Sequence, residues 1–375
     1  MKFLDLFAGI GGFRLGMESA GHKCVGFCEI DKFARTSYKA IHDTEGEVEM
    51  HDITTVSDEF IRGIGSVDVV CGGFPCQAFS IAGKRKGFED TRGTLFFEIA
   101  RFASILRPRY LFLENVKELL NHEGGATFET ILRTLDELGY DVEWQVLNSK
   151  DYVPQNRERV FIIGHLRGEC TRKIFPFSGN DEPLVELQRQ QSSVNTITAR
   201  YGEAAGVGSY VVESKQQEQV AIPAQDRQGI IVVGNLPGNH DQNSRVYNSR
   251  VIAPTLSTMQ GGGQEPKILI KEATTKGYAE ALPGDSVNIS HPNSETRRGR
   301  VGKGIANTLL TGEEQAVVTD NYRIRKLTPR ECWRLQGFPD WAFDRAKEVN
   351  SDSQLYKQAG NSVTVPVIAD IAKRL

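Results

Sequence analysis

The first 165 residues alternate short apolar runs with amphipathic stretches, and this alternation restricts the fold more than any other feature of the chain. The runs fall at residues 2–7, 23–28, 67–71, 110–113, 143–147 and 160–164. Between them apolar residues recur at helical spacing, as in Phe128, Ile131, Leu132, Leu135 and Leu138, closed by Gly139. Strand, helix, strand in succession predicts an α/β domain built on a mostly parallel sheet wrapped by helices.

From about residue 178 the composition shifts to Gln, Ser, Asn, Thr and Gly, with short β-type runs at 230–233 and 267–270, so a second region poor in helix is expected. Within it Asn235, Arg245, Ile252, Ala253, Thr255 and Leu256 recur as Asn288, Arg298, Ile305, Ala306, Thr308 and Leu309, at a constant offset, and a weaker copy starts at Asn195. After residue 322 helical grammar returns. Thr328-Pro329-Arg330-Glu331 reads as a capping box with proline at the first helical position, and Gly337-Phe338-Pro339 stops that helix. In the segment 361–375, Pro366 marks a helix start and Val367, Ile368, Ile371 and Leu375 share one face, which predicts a helix docking on the first domain. The expected division is therefore 1–177, 178–322, and a segment 323–375 that returns to the first domain.

A chain of 375 residues is too long for one small core, and 39% hydrophobic with 25% charged residues is ordinary for a soluble globular protein. No apolar run approaches the roughly 20 residues of a membrane span. Asp5 and the glycines from Gly9 break the one stretch that imitates a signal peptide, so a cytosolic chain is expected. Six cysteines scattered from Cys24 to Cys332 make neither a disulfide framework nor a CxxC zinc pair, and Cys24 and Cys28, flanking an apolar strand, are expected to pack. A net charge of −3 does not itself indicate a nucleic-acid partner. Local basic clusters do offer phosphate-binding faces: Lys84, Arg85, Lys86 and Arg92; Arg297, Arg298, Arg300 and Lys303; Arg323, Arg325 and Lys326. Alone, each such cluster is more often just a solvated surface.

Asp5-Leu6-Phe7-Ala8-Gly9-Ile10-Gly11-Gly12 follows the first strand and opens a helix, where an α/β sheet binds a nucleotide-like ligand. It is not the dinucleotide GxGxxG pattern, because Arg14 stands at the last glycine position, and this excludes a nicotinamide oxidoreductase. Glu29 ends the second strand, where an acid commonly bonds ribose hydroxyls, and Asp52 follows a third short element as either an adenine contact or a helix cap. Gly72-Gly73-Phe74-Pro75-Cys76-Gln77 delivers a thiol to the carboxyl edge of the sheet inside a glycine and proline turn. A thiolate there suits conjugate addition; the alternative is an inert buried cysteine. A further strand ends in Glu114 at the same edge. Gln155, Arg157 and Arg159 alternate just before an apolar run, so period-two spacing points them to one face.

Together these segments resemble bacterial and phage cytosine-5 DNA methyltransferases over nearly the whole chain. The cofactor loop of that family is similar to Asp5–Gly12, its Pro-Cys-Gln to Pro75–Gln77, its Glu-Asn-Val to Glu114–Val116 and its Gln-x-Arg-x-Arg to Gln155–Arg159, with two later motifs at 325–332 and 360–363, all in the usual order. The resemblance implies a Rossmann-like S-adenosylmethionine-dependent methyltransferase sheet with a smaller, mostly β target-recognition domain. It implies Cys76, Glu114, Arg159 and Arg157 as the catalytic group. It also implies an S-adenosylmethionine site at Phe7, Gly9, Gly11, Gly12, Glu29, Ile30, Asp52, Ile53, Pro75, Leu95, Asn361 and Val363, with no metal. The expected partner is double-stranded DNA, held by Lys84, Arg85, Arg92, Gln242, Arg245, Thr255 and Ser257, with Arg245 reading a guanine edge. Residues 242–263 further resemble the recognition region of a GCGC-specific member, departing from it at Met259-Gln260. A monomer in the bacterial cytosol is expected, associated with DNA and away from membranes. A cognate restriction endonuclease would act on the same site without direct contact. A tRNA cytosine-5 methyltransferase is the first alternative, disfavoured by a recognition region of about 140 residues, 181–320. A catalytically silent DNA-binding relative is the second, disfavoured by intact Cys76, Glu114 and Arg159.

Overall fold

The apolar runs of the first domain form one seven-stranded sheet. The structure is a computed structural model that describes residues 1–75, 95–169, 171–177, 210–212, 232–235, 245–248, 267–291, 294, 296–312, 314–320 and 323–375. Strands β1 (Lys2–Leu6), β2 (Lys23–Cys28), β3 (Val48–Met50), β4 (Val69–Gly73), β5 (Tyr110–Val116), β6 (Tyr140–Asn148) and β7 (Glu158–Leu166) lie in the order β3-β2-β1-β4-β5-β7-β6. The five from β3 to β5 are parallel, and β7 runs antiparallel to both neighbours.

Helices α1 (Gly12–Ser19), α2 (Lys32–Ile41), α3 (Asp58–Gly63), α4 (Leu95–Leu106) and α5 (Ala126–Glu137) connect the strands. Strand β5 shows why the parallel strands read as unbroken apolar runs, since both of its faces are covered. Leu111 and Leu113 pack into one core with Leu4, Val70, Ile99 and Ile131, while Tyr110 and Phe112 pack into a second with Phe3, Phe13 and Ile163. Each such side chain contributes about 1.5 to 3 kcal/mol by leaving water. Cys24 and Cys28 are buried as expected, and burial pushes both thiols up to about 12, which keeps them unreactive at neutral pH.

The C-terminal grammar is realised in α6 (Pro329–Leu335), α7 (Asp340–Val349), α8 (Asp352–Asn361) and α9 (Val365–Ala372). The Thr328 hydroxyl accepts from the Glu331 N–H, and the Glu331 carboxylate accepts from the Thr328 N–H, closing the capping box. Helix α9 joins the second core through Val367, Ile368 and Ile371. It lies so close to α1 that a Cβ on Gly16 would stand 2.6 Å from Ile368.

Two compact units result. The first comprises Met1–Glu182, Thr308–Glu313 and Thr328–Leu375, and the second Pro183–Asn307 and Glu314–Leu327. The second unit holds β8 (Tyr210–Val212), β9 (Val232–Asn235), β10 (Arg245–Asn248), β11 (Lys267–Lys271) and β12 (Tyr278–Ala281) in one sheet. Its other sheet holds β13 (Ser286–Asn288), β14 (Val301–Gly302), β15 (Gln315–Val318) and β16 (Ile324–Lys326). The two copies of the internal repeat differ in register: Asn235 faces Arg245, whereas the Asn288 N–H bonds the Arg300 carbonyl rather than Arg298.

One basic cluster also departs from its reading as an exposed phosphate face. Arg300 is buried and donates to the Asn288 and Lys271 carbonyls, and Lys303 is engaged with the Glu280 carbonyl and the Asp285 carboxylate. Arg298, Arg323, Arg325 and Lys326 are exposed. Among the described residues, no helix is long and apolar enough to cross a membrane.

Candidate active site

The chain runs outward from β1 to β2 and β3 on one side and to β4 and β5 on the other, so a crevice opens at the carboxyl ends of β1 and β4. The turn into α1 requires left-handed backbone at Phe7, Gly9 and Gly11, with φ of 55°, 56° and 85°. For Phe7, a non-glycine, this is a strained conformation. A Cβ on Gly11 would fall 2.0 Å from His42 Nε2, so the loop lies directly on that imidazole. The ring donates to the Ile10 carbonyl at 3.4 Å. Burial, aided by the Arg14 charge, pushes the His42 pKa down to about 3 and leaves the ring neutral.

Glu29, at the end of β2, accepts from the Gly9 N–H through one oxygen and from the Asp31 N–H through the other, both at 2.8 Å. Burial raises its pKa against these bonds. The cleft over this loop has a volume of about 430 Å³, within the roughly 300 to 1,000 Å³ usual for small-molecule sites. Phe7, Gly9, Gly12 and Glu29 line it on one side, Pro75 and Glu114 on another, and Asn361 and Val363 on a third. A carboxylate for hydroxyls, an aromatic face, and a glycine loop where nothing stands within 4 Å of a Cβ on Gly9 fit S-adenosylmethionine.

Five residues expected at the cofactor lie elsewhere than in the cleft lining. Asp52 caps the short turn Ile53–Thr55, accepting from the Thr54 N–H and hydroxyl. Ile53 is in the core, Ile30 is 69% exposed, and Leu95 begins α4 packed against the core. Gly11 stands behind the lining, on His42.

The third wall is held by long-range contacts. A Cβ on Gly12 would stand 2.8 Å from Val363 Cγ2 and 2.9 Å from Ser362 Oγ, so only glycine admits the segment after α8. Arg157 is buried and donates to the carbonyls of Leu309, Gly360 and Ser362 at 3.2, 3.3 and 2.9 Å. Its guanidinium thus holds these backbone segments together while also lining the cleft. Burial and the like charge of Arg159 push its pKa down to about 9, and it stays a cation at neutral pH.

At the far end, Pro75 is the last described residue before Cys76. Cys76, Lys84, Arg85 and Arg92 lie outside the described residues, as do Gln242, Thr255 and Ser257; Arg245 lies on β10. The Asn115 side chain donates to the Phe74 carbonyl at 2.9 Å and accepts from the Val116 N–H at 2.8 Å, fixing the turn that leads to Cys76. Glu114 Oε1 pairs with Arg159 Nε at 3.0 Å. The carboxyl is 7% exposed, and burial raises its pKa while Arg159 and Arg157 lower it. Gly73 permits this: a Cβ there would meet Glu114 Oε2 at 2.9 Å.

Sequence reasoning missed the ion pair of Lys357 with Asp31, 2.6 Å long, between two residues that both line the cleft. Its members are 326 positions apart, and no local spacing announces such a pair. The position of Asn115 beside Glu114 likewise gives no sign of its bond to the Phe74 carbonyl. Among the described residues, no group of three or more His, Cys, Asp or Glu side chains is arranged to hold a metal ion.

Comparison with known proteins places this geometry in context. The family described as C-5 cytosine-specific DNA methylase matches residues 1–375. The orphan methyltransferase M.Rho11sI of Bacillus phage rho11s is 32% identical, over 100% of the chain and 97% of its own length. The type II methyltransferase M.HhaI of Haemophilus parahaemolyticus is 36% identical, over 99% of the chain and 93% of its own. Among solved structures, the Dnmt2 methyltransferase of S. pombe is similar in fold, with a TM-score of 0.52 at 18% identity over 100% of the chain and 97% of its own.

Proposed function

Because the chain belongs to the C-5 cytosine-specific DNA methylase family, and is thus a DNA cytosine-5-methyltransferase, we propose how its residues perform the reaction: a cytosine flipped out of a specific short duplex is methylated at C5 through a covalent Cys76 adduct. C5 is a poor nucleophile until a thiolate adds to C6. In this reading the Cys76 sulfur forms a bond to C6, and the electron pair of the C5–C6 double bond becomes available at C5. Negative charge develops on N3 and O2. Glu114, whose pKa burial raises, acts in its protonated form, donating to N3 and reading the N4 amino group, and Arg159 stabilises O2. S-adenosylmethionine supplies the methyl group as an electrophile on a sulfonium centre. Loss of the C5 proton to solvent then restores the double bond and expels the thiolate.

These atoms are out of reach in a stacked duplex, so the base must leave the helix. Residues 79–94, rich in Gly, Lys and Arg, are proposed to close over it, with Lys84, Arg85 and Arg92 on phosphates. Asn361 and Val363 complete the cofactor wall with Phe7 and Glu29. The second unit is proposed to read the target, with Arg245 on a guanine edge. The relatives, an orphan phage methyltransferase and a type II methyltransferase, support a modification role, exercised either alone or beside an endonuclease sharing its site; the protein is proposed to act as a monomer.

The observation that most supports this reading is the Glu114–Arg159 pair, which lies in the same cleft as the glycine loop and Pro75. Cys76→Ser is the test. It should abolish transfer of tritiated methyl to DNA while DNA and cofactor binding persist, and only wild-type protein should become trapped on 5-fluorocytosine DNA. Wild-type rates in the variant would refute the nucleophile assignment, and transfer to tRNA instead of DNA would refute the substrate.

A further inference from the structure

We propose that residues 308–312 form a strap through which the second unit sets the geometry of the catalytic cleft, with Thr308 as its positioning residue. The inference rests on the reading above that the second unit engages duplex DNA. The chain leaves the second unit at Asn307, contributes Thr308–Glu313 to the first, and re-enters the second at Glu314. Both flanks are fastened within the second unit. The Asn307 amide donates to the Gly299 and Arg300 carbonyls, each at 3.4 Å, and the Glu314 carbonyl accepts from the Ile289 N–H at 2.8 Å.

Between those anchors the strap grips three consecutive residues that lead into β7. The Thr308 hydroxyl donates to the Asn156 carbonyl at 2.7 Å, and the Leu309 N–H donates to Gln155 Oε1 at 2.9 Å. The Leu309 carbonyl accepts from Arg157 at 3.2 Å. That same guanidinium holds the carbonyls of Gly360 and Ser362, which flank the cleft-lining Asn361. The strap packs closely on this segment: a Cβ on Gly360 would lie 2.2 Å from the Leu310 carbonyl oxygen. A displacement of either anchor is therefore passed to the strand that delivers Arg159 and to the cofactor wall, since close-packed contacts transmit strain rather than absorb it.

The internal repeat gains a meaning from this arrangement. Thr308-Leu309 is the second-copy counterpart of Thr255-Leu256. In this proposal the second copy serves as a mechanical link and the first alone as a reading element.

Linkage supplies a test independent of catalysis. Affinity for S-adenosylhomocysteine is measured by calorimetry with and without saturating PCR-amplified, hence unmethylated, genomic DNA. Wild-type protein should bind it at least about fivefold tighter with DNA present, the lower end of common coupling factors. Thr308→Val and Asn307→Ala should each reduce the factor below about twofold without changing affinity in the absence of DNA, and Thr308→Ser should restore it. Coupling that survives in Thr308→Val, or affinity lost equally without DNA, overturns the strap. A failure of tritium transfer to DNA by wild type would instead overturn the proposed reaction, leaving the coupling factor to judge the strap separately.

Discussion

Arg159 and Glu114 are diagonal neighbours across the antiparallel junction of β5 and β7: Arg159 stands opposite Val116, and the Glu114 carboxylate two residues back reaches its Nε at 3.0 Å. The reversal of β7 creates this meeting, because it brings the start of one strand beside the end of the other. Glu114→Gln keeps an N–H for the base but, unlike a carboxylic acid, cannot give up a proton to N3. The kcat for methyl transfer should fall by about 10² to 10³. The pH profile sharpens the test. A donor must be protonated, and burial raises the Glu114 pKa, so the wild-type rate should decline as pH rises through that raised value, and the variant should lack the declining limb. An unchanged rate in the variant removes Glu114 from the chemistry.

Glu29 orders the glycine loop and lines the cleft at once, through bonds to the Gly9 and Asp31 N–H groups. Glu29→Ala should weaken S-adenosylmethionine binding about tenfold, or about 1.4 kcal/mol, while kcat at saturating cofactor changes little. Equilibrium binding beside steady-state kinetics measures both quantities, and a loss confined to kcat would contradict the assignment.

Gly12→Ala places a methyl 2.8 Å from Val363 Cγ2 and 2.9 Å from Ser362 Oγ. The segment after α8 must retreat, at a cost of about 1 to 3 kcal/mol typical of overpacking. Thermal denaturation should show a lower Tm, and calorimetry a weaker cofactor complex. A variant as stable as wild type would mean that the wall is not fixed by this contact.

His42 makes the first unit sensitive to acid. Its pKa is depressed to about 3 in the folded chain from an ordinary 6.5, so the unfolded state takes up a proton that the folded state refuses. The stability contributed by the neutral ring is complete above pH 6.5 and is lost as pH falls toward 3, at up to about 1.4 kcal/mol per pH unit. Urea denaturation across that range should show a shallower pH dependence in His42→Phe than in wild type, and parallel slopes would exclude His42 as the source.

Much of the first unit was legible because burial on two faces leaves a plain mark: the runs containing Phe3, Val70, Leu111 and Ile162 are strands, and all four side chains are fully buried. Glycine at 9, 11 and 12 and the acid at 29 marked the cofactor end for an equally local reason, a strand ending where a helix begins. Strand direction left no such mark, since an apolar run reads the same either way, and the reversal of β7 was not anticipated. The three-residue β3 is too short for periodicity to show. Asp52 illustrates a different limit: an acid before Ile-Thr-Thr suits a ligand or a cap equally, and only coordinates show its carboxylate on Thr54. Arg157 and the Asp31–Lys357 pair depend on partners hundreds of residues away, which no window of sequence can contain.

The wall supplied by Asn361 and Val363 also bears on how the protein is made. A chain emerging from the ribosome can lay down β1 to β7 and the glycine turn while the cleft still lacks one side. On the proposed reading of this cleft as the cofactor site, capture waits until the segment behind α8 has emerged and settled on Gly12, so a nascent polypeptide gains ligand affinity only late in its synthesis.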